Sequence, residues 1–428
     1  MISARRQKLL DQLGNAVLLL PQAGEVRRNR DTHFPFRFDS YFQYLTGFPE
    51  PDAVLVLVGG GVPQSLLFCR DKDPERETWD GFRYGPEAAA GQFGFDVGQS
   101  LAALDVEMPK LLANRTALYT VLGEDAAWDQ RVMQWLNSVR SEARNGVNAP
   151  DQLIDCRALL DAMRLVKDAD ERALLRQAAD LSAAAHRRAM QCCRPGMYEY
   201  EIEAEFWHEF RRHNAVHSYP PIVAGGANAC VLHYVGNDQP LRAGDLLLID
   251  AGCELAGYAG DITRTFPVNG RFSGPQRDLY ELVLAAQAAA FAEIRPGVPF
   301  IAYHQAAVRA ITQGLVDLGL LTGAVDGLIE TEAYKPFYMH KSGHWLGLDV
   351  HDAGRYRDGE LWTPLAEGMV LTVEPGCYVR PAEGVPEVFW NIGIRIEDDV
   401  CVTAKGMENM TAAAPKTVVE IEEAMRHD

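Results

Sequence analysis

Short apolar runs bounded by glycine, proline or charge alternate with amphipathic stretches through the first ~150 residues. Residues 17–20, 53–58, 65–69 and 117–122 have the length and punctuation of strands. Residues 5–13 and 126–140 carry a helical pattern between them. This predicts an α/β domain on a mixed or parallel sheet. Gly59-Gly60-Gly61 follows a strand but leads into Val62-Pro63, so it predicts a turn and not a phosphate-binding loop. The aromatic residues Phe34, Phe36, Phe38, Tyr41, Phe42, Tyr44 and Phe48 are expected to pack in the core and along an edge of this domain, with a subunit contact as the alternative.

Residues 144–149 are polar and Pro150 ends them. The expected organisation is an N-terminal domain over 1–150, a linker over 151–167 and a second, α+β domain over 168–428. Asp168-Ala169-Asp170-Glu171 reads as a capping box opening a long Ala/Leu-rich helix that runs to about Cys193. The second domain then repeats itself. Arg194-Pro195-Gly196 and Arg295-Pro296-Gly297 each follow an Ala-rich helix. Leu241-Arg242-Ala243-Gly244-Asp245-Leu246-Leu247-Leu248-Ile249-Asp250-Ala251-Gly252 matches Leu365-Ala366-Glu367-Gly368-Met369-Val370-Leu371-Thr372-Val373-Glu374-Pro375-Gly376. Each copy is a turn, a buried strand and a carboxylate at its end. His233 and His351 precede the copies, and Asp261 and Glu397 follow them. A duplicated unit folded about a pseudo-twofold axis would gather four carboxylates and two histidines.

Composition narrows the function. Lys+Arg 41 against Asp+Glu 59 gives a net charge of −18, which repels polyanions, and no basic patch offsets it, so no nucleic-acid partner is expected. No apolar run approaches the ~18 residues of a membrane span, so no membrane role is expected. The 8 cysteines are scattered without a Cys-x-x-Cys pair, which reads as reduced thiols in the cytoplasm. Cys192-Cys193 is expected to pack rather than to do redox chemistry.

The repeated acids carry the chemistry. A hairpin-like return through Ala256-Gly257-Tyr258-Ala259-Gly260 would set Asp261 beside Asp250. In Ile392-Gly393-Ile394-Arg395-Ile396-Glu397, period-two geometry puts Arg395 and Glu397 on one face. Four converging carboxylates repel, each pair at ~4 Å by about 4 kcal/mol at an effective dielectric of ~20. Two divalent cations would neutralise them, with His344 adding an imidazole. Such an oxygen-rich site suits Mn²⁺ first, with Co²⁺, Fe²⁺ or Zn²⁺ as alternatives. Protonated acids, or acids paired to Arg264 and Arg395, are the competing reading. Of 11 histidines, His340, His344 and His351 fall within one glycine-flanked segment.

Ile249-Asp250-Ala251-Gly252, Gly260-Asp261-Ile262-Thr263-Arg264-Thr265, His344-Trp345-Leu346-Gly347-Leu348-Asp349-Val350-His351-Asp352, Val373-Glu374-Pro375-Gly376 and Gly393-Ile394-Arg395-Ile396-Glu397-Asp398 resemble the pita-bread metallopeptidases, and within them the Xaa-Pro aminopeptidase (aminopeptidase P) branch. The likeness extends to Asp39-Ser40-Tyr41-Phe42-Gln43-Tyr44-Leu45-Thr46-Gly47-Phe48. It implies the pita-bread fold for the second domain and release of an N-terminal residue that precedes proline. By resemblance, Asp250 chelates one metal, Asp261 and Glu397 bridge both, and His344 and Glu374 complete the second. A hydroxide between the metals would attack the scissile carbonyl. Glu374 would take up its proton and pass it to the leaving nitrogen, and His351 would bond the developing oxyanion. His233 and His340 would line the pocket, and Arg395 would support the bridging carboxylate or its neighbours. Asp31 and Trp79 are candidate pocket residues of the N-terminal domain. The resemblance also implies a homo-oligomer, tetramer or dimer. An Xaa-Pro dipeptidase is the alternative enzyme, and an inactive binding protein the alternative of another class. Lys341-Ser342 departs from the pattern, which has glycine and an aliphatic residue after the first histidine.

Overall fold

The structure is a computed structural model and describes residues 2–426. The chain divides into two compact units, Met1–Asp161 and Ala162–Asp428.

The first unit is built on a six-stranded mixed sheet. Its order is Val97–Ser100, Gln64–Cys69, Val54–Val58, Ala16–Pro21, Ala117–Thr120, Gln152–Asp155. Val54–Val58 runs antiparallel to both its neighbours, and the other pairings are parallel. The central strands are buried on both faces, which is why they read as unbroken apolar runs. Val17, Leu19, Val54 and Val56 meet Met108, Val132 and Trp135 of the helices Leu104–Leu112 and Ala126–Ser141. The Asp125 carboxylate caps the second of these by accepting from the Ala127 and Trp128 amides. Gly59-Gly60-Gly61 lies in the turn between two antiparallel strands, as its sequence predicts. The edge strands Val97–Ser100 and Gln152–Asp155 carry no apolar run, and the sequence does not announce them. Residues 151–167, expected as a linker, hold the second of these strands and the helix Arg157–Leu165. The aromatic series is split: Phe42, Tyr44 and Phe48 are buried, whereas Phe34 is exposed.

The second unit shows its duplication in matched hydrogen bonds. Each half opens with a long helix, Ala169–Cys192 or Gly274–Glu293, followed by a second, Glu199–Arg212 or Ile301–Asp317. Asp168 and Glu171 form the predicted capping box. Between the helices, the Gly196 N–H donates to Leu241 O at 2.8 Å, and the Gly297 N–H donates to Leu365 O at 2.8 Å. The bond is returned in both halves, from Leu241 to Met197 at 2.7 Å and from Leu365 to Val298 at 2.8 Å. These leucines open the two sequence repeats, so the echo is structural. The strands then follow suit. Leu246–Asp250 pairs antiparallel with Thr263–Pro267, and Val370–Val373 with Asp398–Thr403. In each half one acid stands at the end of the first strand and another just before its partner.

The return from Asp250 to Asp261 depends on two glycines in contact. A Cβ on Gly252 would lie 1.8 Å from the Gly260 carbonyl oxygen, so only glycine admits this approach. The Ala251 amide bonds Ile262 O at 3.0 Å and the Gly260 amide bonds Cys253 O at 2.8 Å, closing the hairpin. Gly252→Ala is expected to destabilise the second unit by about 3 kcal/mol or more. Gly327→Ala, on an open helical position, is expected to stay within ~1 kcal/mol of the parent. Chemical denaturation of both variants checks this, and equal midpoints would contradict the glycine argument.

Candidate metal centre

Asp250 ends a buried strand and faces Thr263 in register. Asp261, Glu374 and Glu397 sit at corresponding strand ends. His344 is placed by a backbone crossing: its N–H donates to Thr372 Oγ1 at 3.1 Å and its carbonyl accepts the Thr372 amide at 2.9 Å. At Gly343 a Cβ would lie 2.0 Å from Thr372 O, so glycine is required for this crossing. Glu374 is tied one step further along, its amide donating to Ser342 O at 2.9 Å.

The five side chains converge. One donor atom each of Asp261, His344 and Glu397 lies within 4.8 Å of the others. His344 Nε2 is 3.4 Å from Asp261 Oδ2 and 3.7 Å from Glu374 Oε1. The Tyr219 hydroxyl lies 2.6 Å from both Asp250 Oδ1 and Asp261 Oδ1. Thr263 Oγ1 donates to Glu397 Oε2 at 2.6 Å. Arg395 donates from Nη2 to Asp250 Oδ2 at 2.7 Å and from Nε to Thr263 Oγ1 at 3.0 Å. It thus holds Asp250 directly and reaches Glu397 through Thr263. Arg264 is bound elsewhere, to Asp398 and to the carbonyls of Thr263, Glu397, Ala414 and Pro415. Of the four acids only Asp250 pairs directly with an arginine among the described residues, while Arg395 acts on Glu374 and Glu397 through space.

Electrostatics follow from burial. Burial raises Asp250, Arg395 opposes the rise and Asp261 adds to it. Burial, Asp261 and Glu374 hold Glu397 well above the carboxylate range. Burial lifts Glu374 to about 7 against the pull of His344 and Arg395. For His344, burial favours the neutral ring, but the Asp261 hydrogen bond and Glu374 outweigh it and bring the group to about 9. Burial thus biases Asp250, Glu374 and Glu397 toward their protonated forms. His344 Nδ1 is 2.9 Å from Trp345 O and donates to it, which directs Nε2 at the acids. An oxygen-rich carboxylate set with one imidazole fits a hard or borderline divalent cation.

Of the remaining expected residues, His351 is exposed at the rim with its ring centroid 4.3 Å from that of His344. His233 is exposed and contributes to the lowering of both His340 and His351. His340 is brought to about 3, by burial first and Arg395 second. Its two ring nitrogens are engaged, Nδ1 with Lys341 O at 2.7 Å and Nε2 with the Tyr378 hydroxyl at 2.9 Å. It therefore meets its surroundings through its ring face and through Tyr378, which also accepts from Arg395 Nη1 at 3.0 Å. Asp31 and Trp79 belong to the first unit and are exposed there. At the departure from the family pattern, the buried Ser342 bonds Tyr338 and, at 2.9 Å, His304 Nδ1. Lys341 is exposed.

Sequence reasoning missed Tyr219, Thr263, Tyr378 and His186. The last is buried, held neutral by burial at about 3, and donates from Nε2 to Ala251 O at 3.0 Å, steadying the backbone between Asp250 and Asp261. Only Thr263 had a signal, its place two residues after Asp261.

Comparison with known proteins places the chain. Residues 173–404 match the model of metallopeptidase family M24, and residues 2–119 that of the aminopeptidase P N-terminal domain. The chain belongs to metallopeptidase family M24. This M24 chain is 49% identical over 424 residues to the Xaa-Pro aminopeptidase of Haemophilus influenzae, covering 98% of this chain and 96% of the relative. It is 46% identical over 427 residues to that of Escherichia coli K12, with 98% and 96% covered. Among solved structures it is similar to Pseudomonas aeruginosa aminopeptidase PepP, with a TM-score of 0.97 and 51% identity over 99% of this chain and 97% of that one. Zinc-substituted E. coli aminopeptidase P in complex with product gives a TM-score of 0.97 at 45% identity, covering 99% and 97%. The pita-bread fold expected for the second unit is thereby established.

The raised groups set a pH dependence. A group raised in the folded state stabilises it fully below its ordinary value and loses that contribution as pH climbs through the folded one. For Glu374 the window runs from 4.5 to about 7, and for His344 from 6.5 to about 9. The chelator-dialysed M24 protein is therefore expected to lose thermal stability steadily from about pH 5 to pH 9. A saturating divalent metal, which displaces those protons, is expected to flatten the curve. Thermal melts with and without metal check this, and a level or rising Tm in the metal-free protein would contradict it.

Proposed function

We propose that the chain is a metal-dependent aminopeptidase that releases an N-terminal residue from peptides with proline in second position. The observation that carries the reading is the convergence of Asp250, Asp261, His344, Glu374 and Glu397 at the ends of duplicated strands. The aminopeptidase P N-terminal domain over 2–119 favours the aminopeptidase over an Xaa-Pro dipeptidase. The complete donor set argues against an inactive binding protein.

In this reading Asp250 would hold one divalent ion, Asp261 and Glu397 would serve both, and His344 and Glu374 would hold the second. Mn²⁺ is the preferred ion because the donors are mostly oxygen. Bound ions supply Lewis acidity and a water of lowered pKa. The chain supplies the rest. Glu374, tied to Ser342 O and accepting from Thr372 Oγ1 at 3.3 Å, is the proton carrier from the attacking water to the proline nitrogen. Partial desolvation and the neighbouring His344 lower His351 below the ordinary imidazole value, and its N–H is the donor to the carbonyl oxygen as negative charge builds there. His233 and His340 border the peptide, and Arg395 fixes the ligand carboxylates from behind. Proline lacks an N–H and fixes φ, so its peptides need a dedicated site.

A homo-oligomer, tetramer or dimer, is part of the proposal, supported by the exposed Phe34, Trp79 and Phe82 of the first unit. Among the described residues no helix is long and apolar enough to cross a membrane, and all eight cysteines are free thiols, which supports the cytoplasm.

Cleavage of Xaa-Pro-Yaa, Xaa-Pro, Xaa-Ala-Yaa and Met-Ala-Yaa peptides, read by mass spectrometry after chelation and metal return, tests the reading. Release of Xaa from Xaa-Pro-Yaa, abolished by chelation and restored by Mn²⁺, is expected. Cleavage of the dipeptide alone would make the enzyme a dipeptidase, and no metal-restored cleavage would refute it. Asp261→Asn and Glu397→Gln are expected to lower kcat by more than the ~10–100-fold typical of residues behind a metal site. His351→Ala is expected to lower kcat by about 10²-fold or more with metal content unchanged.

A further inference from the structure

His233 lies between the strands Ile222–Gly225 and Leu246–Asp250, in a segment whose regular structure is one short 3₁₀ turn, Gly226–Cys230. An irregular segment of this length keeps one geometry only when side chains tie it down. Glu199, the first residue of the helix Glu199–Arg212, is fully buried beneath it. Its Oε1 accepts from the Gly225 amide at 2.7 Å and from Asn228 Nδ2 at 3.1 Å. Its Oε2 accepts from the Tyr234 hydroxyl at 2.7 Å and the Gln239 amide at 2.9 Å. One helical turn on, Glu203 accepts from Asn237 Nδ2 at 2.9 Å, while Asn237 Oδ1 accepts the Val223 amide at 3.0 Å. Glu199 thus grips the segment at four points.

One of those points adjoins His233. Among the described residues, the hydrogen bonds of residues 232–236 run through the Tyr234 hydroxyl. We propose that Glu199, acting through the Tyr234 hydroxyl, is the positioning residue that fixes His233 against the site. The proposal rests on the peptide-facing role given to His233 above. Burial and Glu199 lift Tyr234 to about 12, so its hydroxyl remains a donor at neutral pH. Its ring packs on the cluster of Ile222, Ala224 and Leu248, which a phenylalanine would preserve.

The test is a double-mutant cycle on Xaa-Pro-Yaa cleavage with the metal-loaded full chain: wild type, Tyr234→Phe, His233→Ala and both together. Tyr234→Phe is expected to lower kcat/KM about tenfold, the worth of one hydrogen bond to a charged group, with metal content intact. In the His233→Ala background the same change is expected to cost nothing further. Hydrogen exchange of residues 226–239 is expected to quicken in Tyr234→Phe and in Glu199→Gln. A loss of equal size in both backgrounds, or exchange that stays at the wild-type rate, would overturn the proposal. A wild type that cleaves no Xaa-Pro peptide refutes the functional reading instead, and the exchange measurement then decides the positioning role alone.

Discussion

The organising constraint is the mutual repulsion of Asp250, Asp261, Glu374 and Glu397 within one pocket from which water is largely withdrawn. Against four acids the protein sets one guanidinium, Arg395, one imidazole, His344, and hydroxyl donors from Tyr219, Thr263 and Thr372. Hydrogen bonds from neutral groups orient carboxylates without discharging them. The polypeptide therefore leaves the balance to be closed from outside, by protons or by cations. A site so arranged is built to be completed. Replacing Arg395 by a neutral residue would lose orientation and raise the acids together, since one cation serves several of them.

Rigidity comes from bonds that cross between the duplicated halves. The Glu397 amide donates to Thr263 O at 3.1 Å, and Thr265 Oγ1 donates to Arg395 O at 3.0 Å. Arg264, wholly buried, donates to Glu397 O at 2.6 Å and pairs with Asp398, which Lys416 also meets at 2.6 Å. A buried pair of this kind is poor evidence for stability but strong evidence for a defined geometry at its location. Here it fixes the chain on both sides of Glu397. The two glycine contacts, at Gly252 and Gly343, do the same work by close approach, letting backbone pass backbone where any side chain would wedge the ligands apart.

Much of this was legible in the sequence, and the reasons differ by feature. The central strands of the first unit showed because burial on both faces writes a continuous apolar run. Val97–Ser100 and Gln152–Asp155 did not, because half-buried edge strands of four residues need no such run. The duplication showed because turn, strand and acid recur in order. The four converging acids showed because carboxylates flanking buried strands are conspicuous, and His344 because it sits in a glycine-flanked run of histidines. Tyr219, Tyr378 and His186 stayed hidden: they reach the acids, or the backbone beside them, from distant segments, and a hydroxyl or a buried imidazole leaves no periodic trace. Arg395 was expected to support the bridging carboxylate or its neighbours; which of them it meets directly, Asp250, is a matter of side-chain reach that strand periodicity does not encode.

The division of the clustered residues between the halves bears on how the protein is made. As the chain leaves the ribosome, Asp250 and Asp261 emerge together, whereas His344, Glu374 and Glu397 follow only after two long helices have been synthesised. The early half owns two of the four acids and lacks both His344 and Arg395. The cluster of four acids therefore cannot assemble until Glu397 exists and the second half has folded onto the first. Hydrolytic capacity arrives in one step, late in synthesis, as a certificate that both halves are present and correctly joined.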